Sequence, residues 1–241
     1  MIRVAAVGDV HLGPDIAGRH RTGLHDLPDR ADVLLLAGDL TRHGTVDEAE
    51  IVAAEYRDLG VPVIAVLGNH DYHSDQQDKV AGLLRQAGIT VLEGAGAVIE
   101  CSGGTLGVAG AKGFGLGFAG RSGSDFGEPQ MKAFARHGRA SAQALAKAFA
   151  SLPPTDAVVA LTHFAPIDGT LVGEPLEIWA FLGNYLLAEA IDAARCDLAI
   201  HGHAHAGTEK GLTERGVPVR NVAAPVIGSA YALYDVLPHS D

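Results

Sequence analysis

Short runs of aliphatic and β-branched residues without polar alternation punctuate the chain: Ile2–Val7, Val33–Ala37, Val63–Val66, 158–162 and 198–200. A strand covered on both faces needs an apolar side chain at nearly every position, so these runs predict central strands of layered sheets. Between the second and third runs, Val46, Ala49, Val52, Ala53 and Tyr56 recur at three- and four-residue spacing, with Asp47, Glu48 and Glu55 elsewhere. That spacing predicts an amphipathic helix over 45–59. Thr45 with Glu48 three positions on makes a capping-box pattern, and Gly60 and Pro62 mark the stop. Further helices are predicted over 78–87, ended by Gly88, and over 131–152, ended by Pro153 and Pro154. Strands alternating with helices argue for an α/β layered domain. Hairpin patterns over 96–109 and 207–222, and a last strand over 230–236, predict sheets that are mixed. No repeat or linker interrupts the pattern, so a single domain over 1–241 is expected. Two segments carry no periodicity: 110–129, with seven glycines among basic and aromatic residues, and 164–183. Loops of that length serve as lids or are surface insertions, and the pattern leaves both readings open.

Composition narrows the class. A chain of 241 residues, 47% hydrophobic and 20% charged, can bury a sizeable core, which excludes disordered and fibrous classes. Eighteen basic residues against 29 acidic ones give a net charge of −11, which repels a phosphate backbone, so duplex nucleic acid is not an expected partner. No stretch approaches the roughly 18 apolar residues of a membrane span, and no membrane partner is expected. Met1 runs directly into the first strand without a leader pattern, and the two cysteines, Cys101 and Cys196, read as small core residues. The expected setting is the reducing cytoplasm. Oligomeric state is left open.

The candidate chemistry sits at the ends of the apolar runs. They lead, in turn, into Gly8-Asp9-Val10-His11, Gly38-Asp39, Gly68-Asn69-His70-Asp71, His163 and His201-Gly202-His203-Ala204-His205. In open α/β sheets the C-terminal strand ends gather at one crevice, so five segments would deliver polar side chains to one place. Taken singly, Asp9, Asp39 and Asn69 would read as turn residues and His163 as an ordinary polar one. Together they form a set of hard oxygens and imidazoles without a thiolate, which suits transition metals and is too rich in nitrogen for calcium or a lone magnesium. Seven ligand-type side chains exceed the needs of one ion and suit two that share a carboxylate.

In order and type these blocks resemble the calcineurin-like metallophosphoesterases, whose motifs run D-x-H, G-D, G-N-H-[DE], H and G-H-x-H. The resemblance implies a four-layer α/β/β/α sandwich with two mixed β-sheets. It implies that Asp9, His11 and His205 hold one ion, that Asn69, His163 and His203 hold a second, and that Asp39 bridges them. The nucleophile would be a hydroxide between the ions, which are expected to be Mn, Fe or Zn. His70 would be no ligand but would lie beside the substrate and donate to the leaving group or the phosphoryl oxygen, oriented by Asp71. After Asp39, the run Leu40-Thr41-Arg42-His43-Gly44 departs from the G-D-x-V-D-R-G of protein Ser/Thr phosphatases and is similar to a small bacterial phosphodiesterase branch. Hydrolysis of a small phosphate ester, a diester before a monoester, is therefore the implied activity. The alternative is a non-catalytic scaffold of the same fold, against which stand His70 and seven filled ligand positions. Substrate contacts are expected from Arg42, Lys112 and Arg121, and from Phe114, Phe118 or Trp179 in the two unassigned segments. A subunit contact through Leu176, Ile178 and Trp179 is the other use of the second segment. His201 is expected to support the ligands, and His20, His25, His43, His73, His137 and His239 to lie on the surface.

Overall fold

The computed structural model describes residues 1–238. The strands are β1 Ile2–Val7, β2 Val33–Ala37, β3 Val63–Val66, β4 Thr90–Val91, β5 Ala95–Cys101, β6 Gly104–Ala111, β7 Gly117–Phe118, β8 Arg121–Ser122, β9 Ala157–Thr162, β10 Leu198–His201, β11 Lys210–Leu212, β12 Pro218–Asn221 and β13 Ala232–Val236. One sheet runs β13-β1-β2-β3-β4, parallel apart from β13, and the other runs β11-β12-β10-β9-β6-β5, parallel apart from its two edges. Both are mixed, as the hairpin patterns require. β5 and β6 form the first expected hairpin, and β11 with β12 the second.

The absence of polar alternation in the central strands is explained by what covers them. One face of the first sheet, with Ala5, Val7, Leu34, Leu36 and Ala65, packs on Ala49, Val52 and Tyr56 of helix Val46–Tyr56 and on Val80 and Leu84 of helix Gln77–Gln86. Its other face, with Val4, Ala6, Leu35 and Val66, meets Leu106, Val108, Val159 and Ile200 of the second sheet. The outer face of that sheet, with Ala109, Ala160 and Ala199, packs on Ala142, Leu145 and Ala148 of helix Pro129–Ser151 and on Leu187 and Ile191 of helix Tyr185–Ala193. Helix, sheet, sheet and helix are thus the four layers. Each fully buried Leu, Ile or Val in them contributes about 1.5–3 kcal/mol, so the sandwich holds the strand ends on a rigid base.

Helix Val46–Tyr56 begins with the expected capping box: Thr45 and Glu48 satisfy each other's backbone N–H groups. Its polar side differs from the sequence reading, because Glu48 and Glu55 are buried. The Glu55 carboxylate accepts the N–H groups of Gly18, His20 and Arg21 at 2.6–2.8 Å and so pins the segment after β1 over the helix. Helix Tyr185–Ala193, capped by the Asn184 side chain on Leu186 N–H, has no counterpart in the sequence reading. Both cysteines are free and half-buried. Among the described residues no helix is long and apolar enough to cross a membrane. His239 lies outside the described residues.

Candidate metal centre

β1, β2, β3, β9 and β10 all end at one edge of the paired sheets, and each chain turn there carries a ligand-type side chain. The turns are tight. Asp9, His11, Asp39 and His203 all adopt positive φ, between 44° and 71°, a region that costs non-glycine residues free energy and recurs at functional sites. Two glycines let the loops close on one another: a Cβ at Gly68 would overlap the Asp39 carboxylate, and one at Gly202 would overlap that of Asp9.

Two clusters result, Asp9, His11, Asp39 and His205, and Asp39, His163 and His203, each with one ligand atom per residue within 4.8 Å of the others. Asp39 belongs to both. In the first cluster His205 Nε2 lies 2.9 Å from Asp9 Oδ1, and His11 Nε2 lies 3.5 Å from His205 Nε2 and 3.8 Å from Asp39 Oδ2. In the second, His163 Nε2 lies 2.9 Å from Asn69 Oδ1 and 3.3 Å from Asp39 Oδ1. All seven side chains expected as ligands therefore converge.

Hydrogen bonds on the far side of the rings set which nitrogen faces inward. His163 Nδ1 donates to the Ala37 carbonyl at 2.9 Å, which leaves the Nε2 lone pair for the centre. His203 Nε2 donates to the Phe181 carbonyl at 3.2 Å, which leaves Nδ1. Burial holds His163 well below the usual imidazole range, pushes His203 down to about 3 and His11 to about 4, so these rings are neutral. Burial raises the Asp9 carboxyl to about 6, and the Asp9 carboxylate raises His205 through their hydrogen bond. A neutral His163 thus points a lone pair at two oxygen acceptors with no proton to share. Acceptors gathered in this way repel one another unless a cation lies between them, so the donor set fits divalent metal ions.

His70 sits at the rim. Its ring packs edge-on against His11 with centroids 4.5 Å apart, and Nε2 lies 3.9 Å from Asp39 Oδ2. Nδ1 donates to the Arg42 carbonyl at 2.7 Å, so the backbone of Arg42, and not Asp71, orients the ring. Asp71 instead points into the interior and accepts Leu40 N–H, Thr41 N–H, the Thr41 hydroxyl and Gly68 N–H. This corrects the expected role of Asp71: with four donors converging on its buried carboxylate, it ties the loop after β2 to the loop after β3.

Of the three cations expected to meet substrate, Arg42 holds its exposed guanidinium against Asp15 at 2.8 Å, and Arg121 lies exposed on the small β7-β8 ribbon. Lys112 stands beside Asn69 on a common cavity wall. The segment 164–183 touches the centre through the Phe181 carbonyl and through the Phe164 ring, 4.4 Å from that of His203. Trp179 packs instead on Phe118 and donates to the Glu174 carbonyl. His201 is buried in β10, where Nε2 meets the Thr170 hydroxyl at 2.9 Å behind the ligands. The sequence reading missed the carbonyls of Ala37, Arg42 and Phe181, because main-chain groups carry no residue signature.

Comparison with known proteins agrees with this geometry. Residues 2–207 match the calcineurin-like phosphoesterase family, and the chain belongs to it. No curated protein matches the sequence. Among solved structures, the phosphopantetheinyl hydrolase PptH from Mycobacterium tuberculosis is similar at a TM-score of 0.67 and 15% identity, over 96% of this chain and 95% of that one. A putative 5′-nucleotidase from Staphylococcus aureus matches at 0.58 and 16% identity, over 100% of this chain and 54% of that one. GAP50, the anchor in the inner membrane complex of Plasmodium, matches at 0.56 and 12% identity, over 93% and 72%. At these identities the likeness is one of fold.

Proposed function

We propose that the chain is a cytoplasmic enzyme that hydrolyses a small phosphate ester, a diester in preference to a monoester, with two transition-metal ions. The observation that carries this reading is the pair of ligand clusters sharing Asp39. In this reading Asp9, His11 and His205 would hold one ion, Asn69, His163 and His203 would hold the other, and Asp39 would serve both; Mn, Fe or Zn would suit this nitrogen and oxygen set. Two such ions, when bound, supply an activated water and neutralise the phosphoryl oxygens. The rest falls to the protein. His70, with Nδ1–H fixed on the Arg42 carbonyl, is free to give or take a proton at Nε2 and meets the leaving-group oxygen. Phe181 and Ala37 keep the ligand rings in the tautomer the site needs. The diester preference follows from charge: a dianionic monoester calls for extra cations, and of the three expected ones Arg42 is already paired with Asp15 and Arg121 lies on the exposed β7-β8 ribbon, which leaves Lys112 alone in the cavity beside Asn69. A diester carries one charge less, and its alkoxide leaving group gains most from the His70 proton. Free thiols at Cys101 and Cys196 suit a reducing cytoplasm.

The test compares kcat/KM for bis(p-nitrophenyl) phosphate and p-nitrophenyl phosphate at matched pH and Mn concentration. The diester is expected to be the better substrate. A preference of about tenfold for the monoester, or about 1.4 kcal/mol in transition-state stabilisation, reverses that assignment. Inactivity on both with two ions bound favours the scaffold.

A further inference from the structure

Beside Asn69, the loop after β3 and the end of β6 open into a cavity of about 500 Å³ that the reaction proposed above leaves unused. The rings of Tyr72, Phe114 and Phe164 line it, and Glu93, Lys112 and His137 are among its polar groups. The Lys112 ammonium stands 4.8 Å from the centroid of Tyr72, 5.1 Å from that of Phe164 and 5.4 Å from that of Phe114. Three rings at this range hold a cation in place through their negative faces. One of its three N–H donors reaches the Gly113 carbonyl at 3.2 Å, and the other two have no hydrogen-bond partner among the described residues. Glu93, in the same cavity, attracts the ammonium through charge but makes no hydrogen bond to it: its oxygens accept Leu67 N–H and the Tyr72 hydroxyl, each at 3.2 Å.

We propose that this cavity is the specificity pocket and that Lys112 is its anion receptor, so that the substrates are phosphate esters whose organic group carries a planar or apolar body and a second anion. The inference takes the phosphoesterase reading as its premise. Charge and shape decide the class. The ring faces already hold the chain's own cation, so an amine or quaternary ammonium group meets positive charge where it would need those faces. An anion finds two unused N–H donors fixed by the rings, and the remaining apolar wall accepts a ring or short chain. A cavity of this volume has room for such a group beyond the phosphate.

The experiment uses the full chain loaded with Mn and two probes whose P–C bond resists hydrolysis. Benzyl(methyl)phosphinate, singly charged like a diester, offers one anion and a ring; (4-carboxybenzyl)(methyl)phosphinate adds a second anion. By titration calorimetry, wild type is expected to bind the carboxylated probe about tenfold more tightly, the scale of one hydrogen-bonded charge pair. Lys112→Met, which keeps the packing among the rings, should bring that ratio close to one, and Lys112→Arg should retain part of it. A ratio near one in wild type overturns the proposal, as does a ratio that survives in the Met variant. An equal weakening of both probes by Lys112→Met also overturns it, because the ammonium would then hold the phosphinate itself. Should the Met variant fail to fold, Lys112→Gln provides the same comparison. Hydrolysis of bis(p-nitrophenyl) phosphate by wild type is measured in parallel. No turnover counts against the premise, whereas turnover with a binding ratio near one counts against the pocket alone.

Discussion

Replacing Asp71 by Asn separates a structural role from a catalytic one. Each carboxylate oxygen accepts two donors, Oδ1 from the Thr41 N–H and hydroxyl at 2.8 and 2.6 Å, and Oδ2 from Leu40 and Gly68 N–H at 3.2 and 2.8 Å. An amide of the same shape keeps one oxygen and turns an NH2 group towards two donors. Each buried donor left without an acceptor costs about 1–3 kcal/mol, and the buried NH2 adds a similar amount. Against this, burial raises the Asp71 carboxyl from 3.8 to about 6, a penalty of about 3 kcal/mol on the ionised form that the amide escapes. Two stranded donors and the NH2 group together cost about 6 kcal/mol, so the net loss is about 3 kcal/mol at pH 7, or a fall in Tm of about 6–12 °C for a chain of this size. The pH dependence has a definite sign. A carboxyl raised in the folded state contributes stability that is full below 3.8 and lost as pH rises through 6, so the gap between wild type and variant should widen by about 1 kcal/mol between pH 7 and pH 5. Thermal melts of both proteins at the two pH values, with metal content checked, read this directly. A variant that melts like wild type but loses turnover refutes the reasoning and returns Asp71 to orienting His70.

Elemental analysis of protein purified without chelator and incubated with Mn should find two ions per chain; a value that stays near one refutes the dinuclear centre. Asp39→Ala should lose both ions and all activity, whereas His70→Ala should keep both and slow turnover about 10²–10⁴-fold, more for poor leaving groups than for nitrophenolate. Equal metal loss in the two variants would mean that His70 is a ligand. Burial pushes His201 down to about 4, so the unfolded chain takes up that proton first, and stability is full above 6.5 and falls as pH drops towards 4. His201→Asn should lose about 2 kcal/mol less than wild type between pH 7.5 and pH 5, measured by denaturant melts of metal-free protein.

The layers were legible because two-face burial leaves no room for polar alternation. Ile2–Val7 and Val33–Ala37 announce themselves as central strands, and Thr45 with Glu48 announces a helix start. The candidate ligands were legible because they follow those strands directly. Less so was anything that depends on tertiary cover: Glu55 looks like a solvent-facing helix residue until the segment after β1 folds over it. The orienting role of Asp71 is implied by the resemblance alone, and the structure departs from it because the turn His70–Tyr72 leaves Asp71 bound to Thr41 and Gly68 while the Arg42 carbonyl takes the His70 ring. The orienting groups on His70, His163 and His203 are carbonyls, available at any residue type, and only the path of the chain decides which one arrives.

The costs of this fold are concentrated where its chemistry is. Among the described residues six non-glycine positions have positive φ, and four of them, Asp9, His11, Asp39 and His203, belong to the candidate metal clusters. Glycine avoids the cost of about 1 kcal/mol or more that an L side chain meets in that region, and the other two positions, Asp58 and Asp75, use the residue type that tolerates it best after asparagine. To those backbone costs the centre adds a buried Asp9 carboxyl and the lone pair of a neutral His163 facing two oxygens. The surroundings hold the arrangement: parallel strands fix where the turns begin, Gly68 and Gly202 let the loops approach, and Asp71 ties two of them together. A cation between the acceptors relieves the repulsion but not the backbone strain, which remains as fixed geometry. That division explains why aspartate and histidine stand at positions whose backbone favours glycine. The strain fixes the directions of these side chains without any ion, and the electrostatic cost is the part that a bound cation would offset.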